Sequence, residues 1–286
     1  MGRILTIGSI NADHIYRVPR LPAPGETLSV ESFSRTLGGK GANQSVAAAR
    51  SGAPVRHVGA VGADGGWLVE RLGADGIETD AIARVEVPTG HAIVAVDSAG
   101  ENAILIFAGA NAAVPEAAAL ESIAGYGAGD LCLLQNEINL GPDIAAAARA
   151  QGMTVIYTAA PFDAARVAAM LPHVDLVVMN AVEAKQLGTD PWDLPCDALV
   201  TRGAEGARWF GDSVIERGAF AVNPVDTTGA GDCYLGALAA QLAAGSSKAE
   251  AMRWAAAAAA IQVTRPGTAD AMPTRDEIAD FLADRP

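Results

Sequence analysis

Asp226-Thr227-Thr228-Gly229-Ala230-Gly231-Asp232, continued by Cys233-Tyr234-Leu235-Gly236-Ala237-Leu238-Ala239-Ala240-Gln241-Leu242, is the stretch on which the reading of this chain turns. Its second half repeats small and apolar residues at helical spacing, and Gly245 stands just past the end. Its first half, with glycines, threonines and an aspartate, favours a turn. A tight loop therefore opens into a helix N-terminus, where unpaired backbone N–H groups point outward at the positive end of the helix dipole. Such a place accepts an anion, and phosphate is the commonest. Asp232 is the unexpected residue, because a carboxylate repels an anion. Two readings stay open. Ionised at the helix N-terminus, it can take a proton from a hydroxyl attacking a phosphoryl group; or it is an aspartate cap on a glycine-rich loop.

The 286 residues can bury a large core, and one α/β domain with an insertion is the simplest division. No apolar run approaches the roughly 20 residues that span a bilayer, and the opening Met1-Gly2-Arg3-Ile4-Leu5 enters a strand at once, which argues against a signal peptide. Cys132, Cys196 and Cys233 are odd in number and lack metal-like spacing, which suits free thiols in a reducing cytoplasm. A formal net charge of −13 argues against nucleic acid or an anionic membrane as partner. An acidic chain that binds a nucleotide must gather its cations locally, and Lys40 and Arg202 are the candidates.

Ile4 to Gly8 reads as an apolar strand ending in a glycine turn, with Asn11 and Asp13 just beyond it, where ligands sit in open α/β sheets. An Asx-turn closing the strand accounts for the same residues. Gly38-Gly39-Lys40-Gly41-Ala42-Asn43 is a second glycine-rich loop entering a helix, Ala42 to Arg50. It is not a Walker A loop, which would need glycine at Ser34 and a hydroxyl residue at Gly41. Gly59, Gly62 and Gly65 imitate a dinucleotide fingerprint but lack its Gly-x-Gly turn, so a dehydrogenase is disfavoured. His91 to Asp97 and Asn102 to Phe107 alternate as a hairpin and, with Thr27 to Phe33, predict an all-β island. An inserted sheet near such loops reads as a water-excluding lid, or as a dimerising or decorative surface. His91 is placed on its surface without a chemical role. Farther on, strands at Leu131 to Leu134, Val155 to Tyr157, Leu176 to Met179 and Ala198 to Val200 alternate with helices, which implies a mainly parallel sheet with helices on both faces. Several of these strands end in polar residues: Gln135-Asn136-Glu137, Asn180 and Thr201-Arg202-Gly203.

These motifs together resemble the ribokinase-type sugar kinases, the phosphofructokinase-B superfamily, over nearly the whole chain. Asp226 to Asp232 is similar to the family's C-terminal signature, Gly38 to Asn43 to its first signature, and Gly8-Ser9-Ile10-Asn11-Ala12-Asp13 to its N-terminal segment. The resemblance implies a ribokinase-like three-layer sandwich, a single α/β kinase domain over 1–286 with a β-sheet lid inserted from about 14–37 and 88–108. It implies Asp232 as catalytic base and the Gly229, Ala230 and Gly231 amides as an anion hole. It assigns the sugar to Asn11, Ala12, Asp13, Gly39, Lys40, Gly41, Ala42, Asn43, Glu137 and Asp232 itself. The nucleotide falls to Asn180, Glu183, Gly231 and the loop Thr201, Arg202, Gly203, Ala204, Glu205, Gly206, with Glu183 organising Mg²⁺ through water. Gln262-Val263-Thr264-Arg265-Pro266-Gly267 resembles the loop that binds a monovalent cation, so K⁺ is expected on Asp226, Thr228, Gln262, Arg265, Gly267 and Ala271. The chain departs from the family at Thr158-Ala159-Ala160-Pro161, at Ala256 and Ala271, and in a short crossover over 187–198.

The expected activity is ATP-dependent phosphorylation of a sugar's primary hydroxyl, D-ribose to ribose 5-phosphate first. A kinase for another pentose, ketose or nucleoside is the rival within the class, and a non-catalytic sugar sensor the rival outside it. Asn11, Asp13, Asn43 and Glu137 favour a small polyhydroxylated sugar over a base-bearing nucleoside. Retention of Asp232 beside the glycine loop speaks against a sensor. A cytoplasmic homodimer paired through the lid sheet completes the expectation.

Overall fold

In a computed structural model, which describes residues 2–285, the chain builds two sheets. The strands are β1 (Ile4–Ile7), β2 (Asn11–Arg17), β3 (Ser32–Gly38), β4 (Val55–Val61), β5 (Ile82–Arg84), β6 (Gly90–Val96), β7 (Asn102–Phe107), β8 (Leu131–Gln135), β9 (Thr154–Thr158), β10 (Leu176–Asn180), β11 (Asp197–Thr201), β12 (Ala207–Phe210) and β13 (Ile215–Arg217). The α-helices are α1 (Lys40–Arg50), α2 (Gly66–Ala74), α3 (Glu116–Ile123), α4 (Pro142–Ala150), α5 (Ala164–Met170), α6 (Ala181–Leu187), α7 (Ala230–Ala243), α8 (Lys248–Gln262) and α9 (Arg275–Ala283).

The large sheet has the order β13-β12-β11-β10-β9-β8-β1-β4-β5, parallel throughout except for the antiparallel β12 and β13 at one edge. Valine, isoleucine and leucine dominate β8 to β11 because these strands are covered on both faces. On one face β1's Ile4 packs with residues of α1, α2, α7, α8 and α9; on the other, Leu5 and Ile7 pack with α3, α4 and α5. The result is the expected three-layer sandwich. Capping boxes start three helices locally: Asn180 with Glu183 at α6, Ser247 with Glu250 at α8 and Thr274 with Glu277 at α9.

The small sheet is ordered β3-β2-β6-β7. Its first members differ from the sequence expectation. Asn11 and Asp13 are not in a turn but on β2, which pairs antiparallel with β3 and parallel with β6. The strand expected at Thr27 to Phe33 lies instead at Ser32–Gly38. β-propensity marks an extended segment, but only a partner ladder decides where pairing begins. The register sorts the side chains. Asn11, Asp13 and Ile15 share one face with Ala92, Val94, Ile104 and Ile106. Ala12, His14 and Tyr16 share the opposite face with Phe33, Ile93, Leu105 and Phe107.

Among the described residues, no helix is long and apolar enough to cross a membrane. Cys132, Cys196 and Cys233 are free thiols. The shortened crossover between α6 and β11 is a single 3₁₀ turn, Pro191–Asp193, capped by Asp190.

Candidate active site

The loop before α7 has the geometry that its residues demand. Gly229 caps the helix in the left-handed region, φ 77°, so that the chain turns abruptly into Ala230. Thr228 N–H donates to Asp226 Oδ1 at 2.9 Å, an Asx-turn, and Ala230 N–H donates to the Thr227 carbonyl at 3.2 Å. Among the described residues, the amides of Gly229, Gly231 and Asp232 have no acceptor. Of the three amides expected to form the anion hole, Ala230's is thus already paired, and Asp232's joins those of Gly229 and Gly231.

Asp232 is buried, and both its oxygens are held: Gln44 Nε2 donates to Oδ1 at 2.9 Å and Asn43 Nδ2 to Oδ2 at 3.2 Å. This contact between α1 and α7 depends on Gly236. A β-carbon there would stand 2.4 Å from the Gln44 carbonyl oxygen and 2.5 Å from the Ala47 β-carbon. Burial pushes the Asp232 carboxyl above its usual range, against the pull of Lys40 and the two amides. The sequence reading has this carboxylate ionised at a helix N-terminus; its burial adds an opposing effect, the desolvation of the charged form. A carboxylate so raised is a stronger base for a hydroxyl proton once it is ionised.

The loop before α1 is arranged differently. Lys40 N–H donates to Glu137 Oε2 at 3.0 Å, Gly41 N–H to Ser9 Oγ at 3.2 Å, and Ala42 N–H to the Ser9 carbonyl at 2.9 Å. Ser9 Oγ in turn donates to Glu137 Oε2 at 2.5 Å. Of the sugar residues that the resemblance implies in this loop, Lys40, Gly41 and Ala42 thus have their N–H groups occupied within the protein, whereas that of Gly39 has no acceptor among the described residues. Ala12 points its side chain to the far face of the small sheet, away from Asn11 and Asp13. Asn11 Oδ1 accepts from Asn111 Nδ2 at 2.7 Å, and Asn111 is fixed by the Ile10 N–H at 2.9 Å.

Among the described residues Asp13 has no hydrogen-bond donor and lies across Gly38, while the buried Asn43 Oδ1 likewise lacks a partner. Burial, with Glu137 adding to it, pushes the Asp13 carboxyl up to about 7, opposed by Lys40. The Lys40 ammonium stands 3.5 Å from Glu137 Oε1. Burial draws its pKa down, but the charges of Asp232, Glu137 and Glu183 outweigh that and hold it above its ordinary value. Acceptors without donors, packed around one cation, suit a ligand that brings several hydroxyl groups.

Among the residues that the resemblance gives to the nucleotide, Glu183 Oε2 accepts the Asn180 N–H at 2.8 Å, and Asn180 Oδ1 accepts the Val182 and Glu183 N–H groups, both at 2.9 Å. The Asn-x-x-Glu pattern is a helix cap that leaves Glu183 Oε1 without a donor among the described residues. One carboxylate oxygen close enough to influence Lys40 fits a Mg²⁺ ion carried by nucleotide phosphates and water. Among the described residues no group of three or more acidic, histidine or cysteine side chains forms a dedicated cage. Arg202 is not a free cation: it pairs with Glu216 at 2.5 Å and with Glu205 at 3.4 Å. Its backbone N–H donates to the Gly206 carbonyl at 2.7 Å, closing the Gly203–Glu205 turn. Thr201 Oγ1 reaches the Met179 carbonyl at 3.5 Å, and Ala204 presents only backbone.

The cation loop lies where the resemblance placed it but does not fit a cation as it stands. Gln262 Nε2 donates to the Thr228 carbonyl at 2.9 Å and to the Gly267 carbonyl at 3.1 Å. Two expected ligand oxygens therefore face N–H groups. The Gln262 carbonyl accepts the Arg265 N–H at 3.0 Å, the Arg265 guanidinium pairs with Glu277 at 2.5 Å, and the buried Ala271 offers no side-chain oxygen.

Sequence reasoning missed Ser9, Gln44 and Asn111. Each is a buried polar residue beside a recognised motif, and that juxtaposition was the available signal. Gln44 is further held by Gln135, whose Nε2 donates to Gln44 Oε1 at 2.7 Å.

The model of the pfkB family carbohydrate kinases matches residues 1–275. A curated ribokinase from Haemophilus influenzae is 36% identical, with 99% of each chain covered. Among solved structures, the ribokinase of Arabidopsis thaliana complexed with ribose and ATP superposes with a TM-score of 0.89 at 32% identity, over 99% of each chain. The phosphofructokinase-2 of Escherichia coli in complex with potassium, at 22% identity, a TM-score of 0.83 and 99% of each chain, shares the fold. This chain belongs to the pfkB family of carbohydrate kinases.

Proposed function

We propose that this ATP-dependent sugar kinase phosphorylates the primary hydroxyl of D-ribose, giving ribose 5-phosphate. The observation that carries the reading is the buried Asp232, clamped by Asn43 and Gln44 beside three unpaired amides at the head of α7. In this reading Asp232 takes the proton of the hydroxyl as it attacks. The Gly229, Gly231 and Asp232 amides stabilise charge on the transferring phosphoryl oxygens, fixed in place before the reaction begins. Asp13 and Asn43 accept sugar hydroxyl protons, and Lys40 with Glu137 frames the same pocket. Bound Mg²⁺ would neutralise nucleotide phosphate charge, with Glu183 holding its water.

The small sheet presents Asn11 and Asp13 on one face, so it acts as the wall that keeps water from the phosphoryl group. Its other face exposes Phe33, Ile93, Leu105 and Phe107, an apolar surface that supports pairing of two copies through this sheet in a cytoplasmic enzyme. The test of function is coupled ADP release over pentoses, 2-deoxyribose, hexoses and nucleosides. Ribose should give the highest kcat/KM. A preference for another sugar or a nucleoside would replace the substrate assignment, and ribose binding without turnover on any of them would leave a sensor.

A further inference from the structure

The strongest unexplained group in the molecule is Gln262. The last residue of α8, it is completely buried, and its Nε2 bridges the carbonyls of Thr228 and Gly267 at 2.9 and 3.1 Å. The same two residues are bridged again, through their amides, by Asp226: Thr228 N–H donates to Oδ1 at 2.9 Å and Gly267 N–H to Oδ2 at 3.0 Å. One carboxylate and one carboxamide therefore cross-link the loop before α7 to the loop after α8. Desolvation opposes the charge on Asp226, but these amides outweigh it and hold its carboxyl below the usual range.

The orientation of the Gln262 amide follows from its neighbours. Turned over, Oε1 would face two carbonyl oxygens with no proton between them, which only a cation could relieve. As placed, Oε1 lies buried without a partner. One unsatisfied acceptor is the lesser cost, since two facing carbonyls would each be left without a donor.

We propose that the Gln262 carboxamide does in this enzyme the structural work of a bound monovalent cation. It ties the Thr228 and Gly267 carbonyls together, positions the Gly229 and Gly231 amides, and makes turnover independent of K⁺. The proposal rests on the kinase reading, with Gln262 a positioning residue that acts through the loop rather than on the substrate. A neutral amide supplies no charge, so its effect lies in the loop's order and hence in kcat more than in sugar KM.

The experiment compares turnover in a buffer whose only cation is tetramethylammonium with turnover after K⁺ replaces it at constant ionic strength. Wild-type kcat should agree within about twofold between the two. Gln262→Ala frees both carbonyls and opens space beside Asp226; its kcat should fall in tetramethylammonium and recover in K⁺, with sugar KM little moved. Activation of the wild type several-fold by K⁺ overturns the proposal. So does a Gln262→Ala enzyme as active as wild type in both buffers. A readout independent of turnover is Rb⁺ soaked into wild-type crystals: an anomalous peak between Asp226, Thr228 and Gly267 overturns the proposal, and its absence supports it even if Gln262→Ala does not fold. Lack of kinase activity in every buffer would instead indict the functional reading, while the Rb⁺ result would still stand.

Discussion

Two glycine-rich loops open into helices in this molecule, and they have opposite characters. Before α7, the amides of Gly229, Gly231 and Asp232 are unpaired; before α1, those of Lys40, Gly41 and Ala42 are bound to Ser9 and Glu137. Both have the dipole and geometry of a helix start, yet only the first is free to receive an anion. The second is ringed by Asp13 and Glu137, carboxylates that would repel a phosphate and attract hydroxyl protons. A helix N-terminus is an anion site when its donors are free, and the rest of the fold settles that. On the proposed function, one loop of this pair serves charge and the other hydroxyl groups, with Asp232 at the seam between them.

The largest break in that comparison should come from the seam. Asp232→Asn keeps the shape and the proximity to Asn43 and Gln44 but removes the base, so kcat should fall by ~10²–10⁴-fold. Ribose affinity by calorimetry should stay within a few-fold. A near-wild-type kcat would take Asp232 out of the mechanism.

Next comes the free-amide loop itself. A β-carbon at Gly231 would meet nothing within 4 Å, and proline is tolerated in the first turn of a helix. Gly231→Pro deletes one unpaired N–H group, so a drop in kcat of ~10²–10³-fold, as for loss of one oxyanion-hole donor, is expected. Circular dichroism would check that α7 persists. An unchanged kcat with an intact helix would mean that this amide does not touch the phosphoryl group.

On the hydroxyl side, Asp13→Ala removes an acceptor that has no protein donor of its own. Sugar binding should weaken by about 1.5–3 kcal/mol, the range for hydrogen bonds to a charged group, with ATP affinity little altered. Calorimetry with each ligand separates the two; loss of ATP with ribose retained would mean that the sites are exchanged.

The smallest effect is one of pH. The Asp13 carboxyl of the free enzyme is pushed up to about 7, and hydroxyl donors favour its ionised form. Sugar affinity should therefore be full above that value and fall as pH drops through it, by up to about tenfold per unit. Asp13→Asn should flatten the profile. A wild-type affinity that does not vary between pH 6 and 8 on the order of this factor would show that Asp13 is not the titrating contact.

The sequence by itself determined the elements whose causes are local. The Gly229–Gly231 turn into α7 follows from glycine and Asx chemistry within a few residues, and the parallel sheet follows from apolar strands alternating with helices. The family motifs named Asn43, one of the two side chains that hold Asp232, and passed over Gln44, the other. What only the tertiary structure decided is which polar groups are already satisfied, because their partners come from far along the chain. Ser9 reaches Gly41 across 32 positions, Glu137 reaches Lys40 across 97, and Gln44 reaches Asp232 across 188. The start of β2 at Asn11 likewise needed β3 and β6 beside it, since pairing is a property of two strands. The raised Asp232 carboxyl needed the burial that Gly236 permits by letting α1 and α7 approach. The part played by Gln262 was hidden for the same reason. A glutamine at a helix end is unremarked in sequence, and only its reach to Thr228, 34 positions away, shows what it holds together.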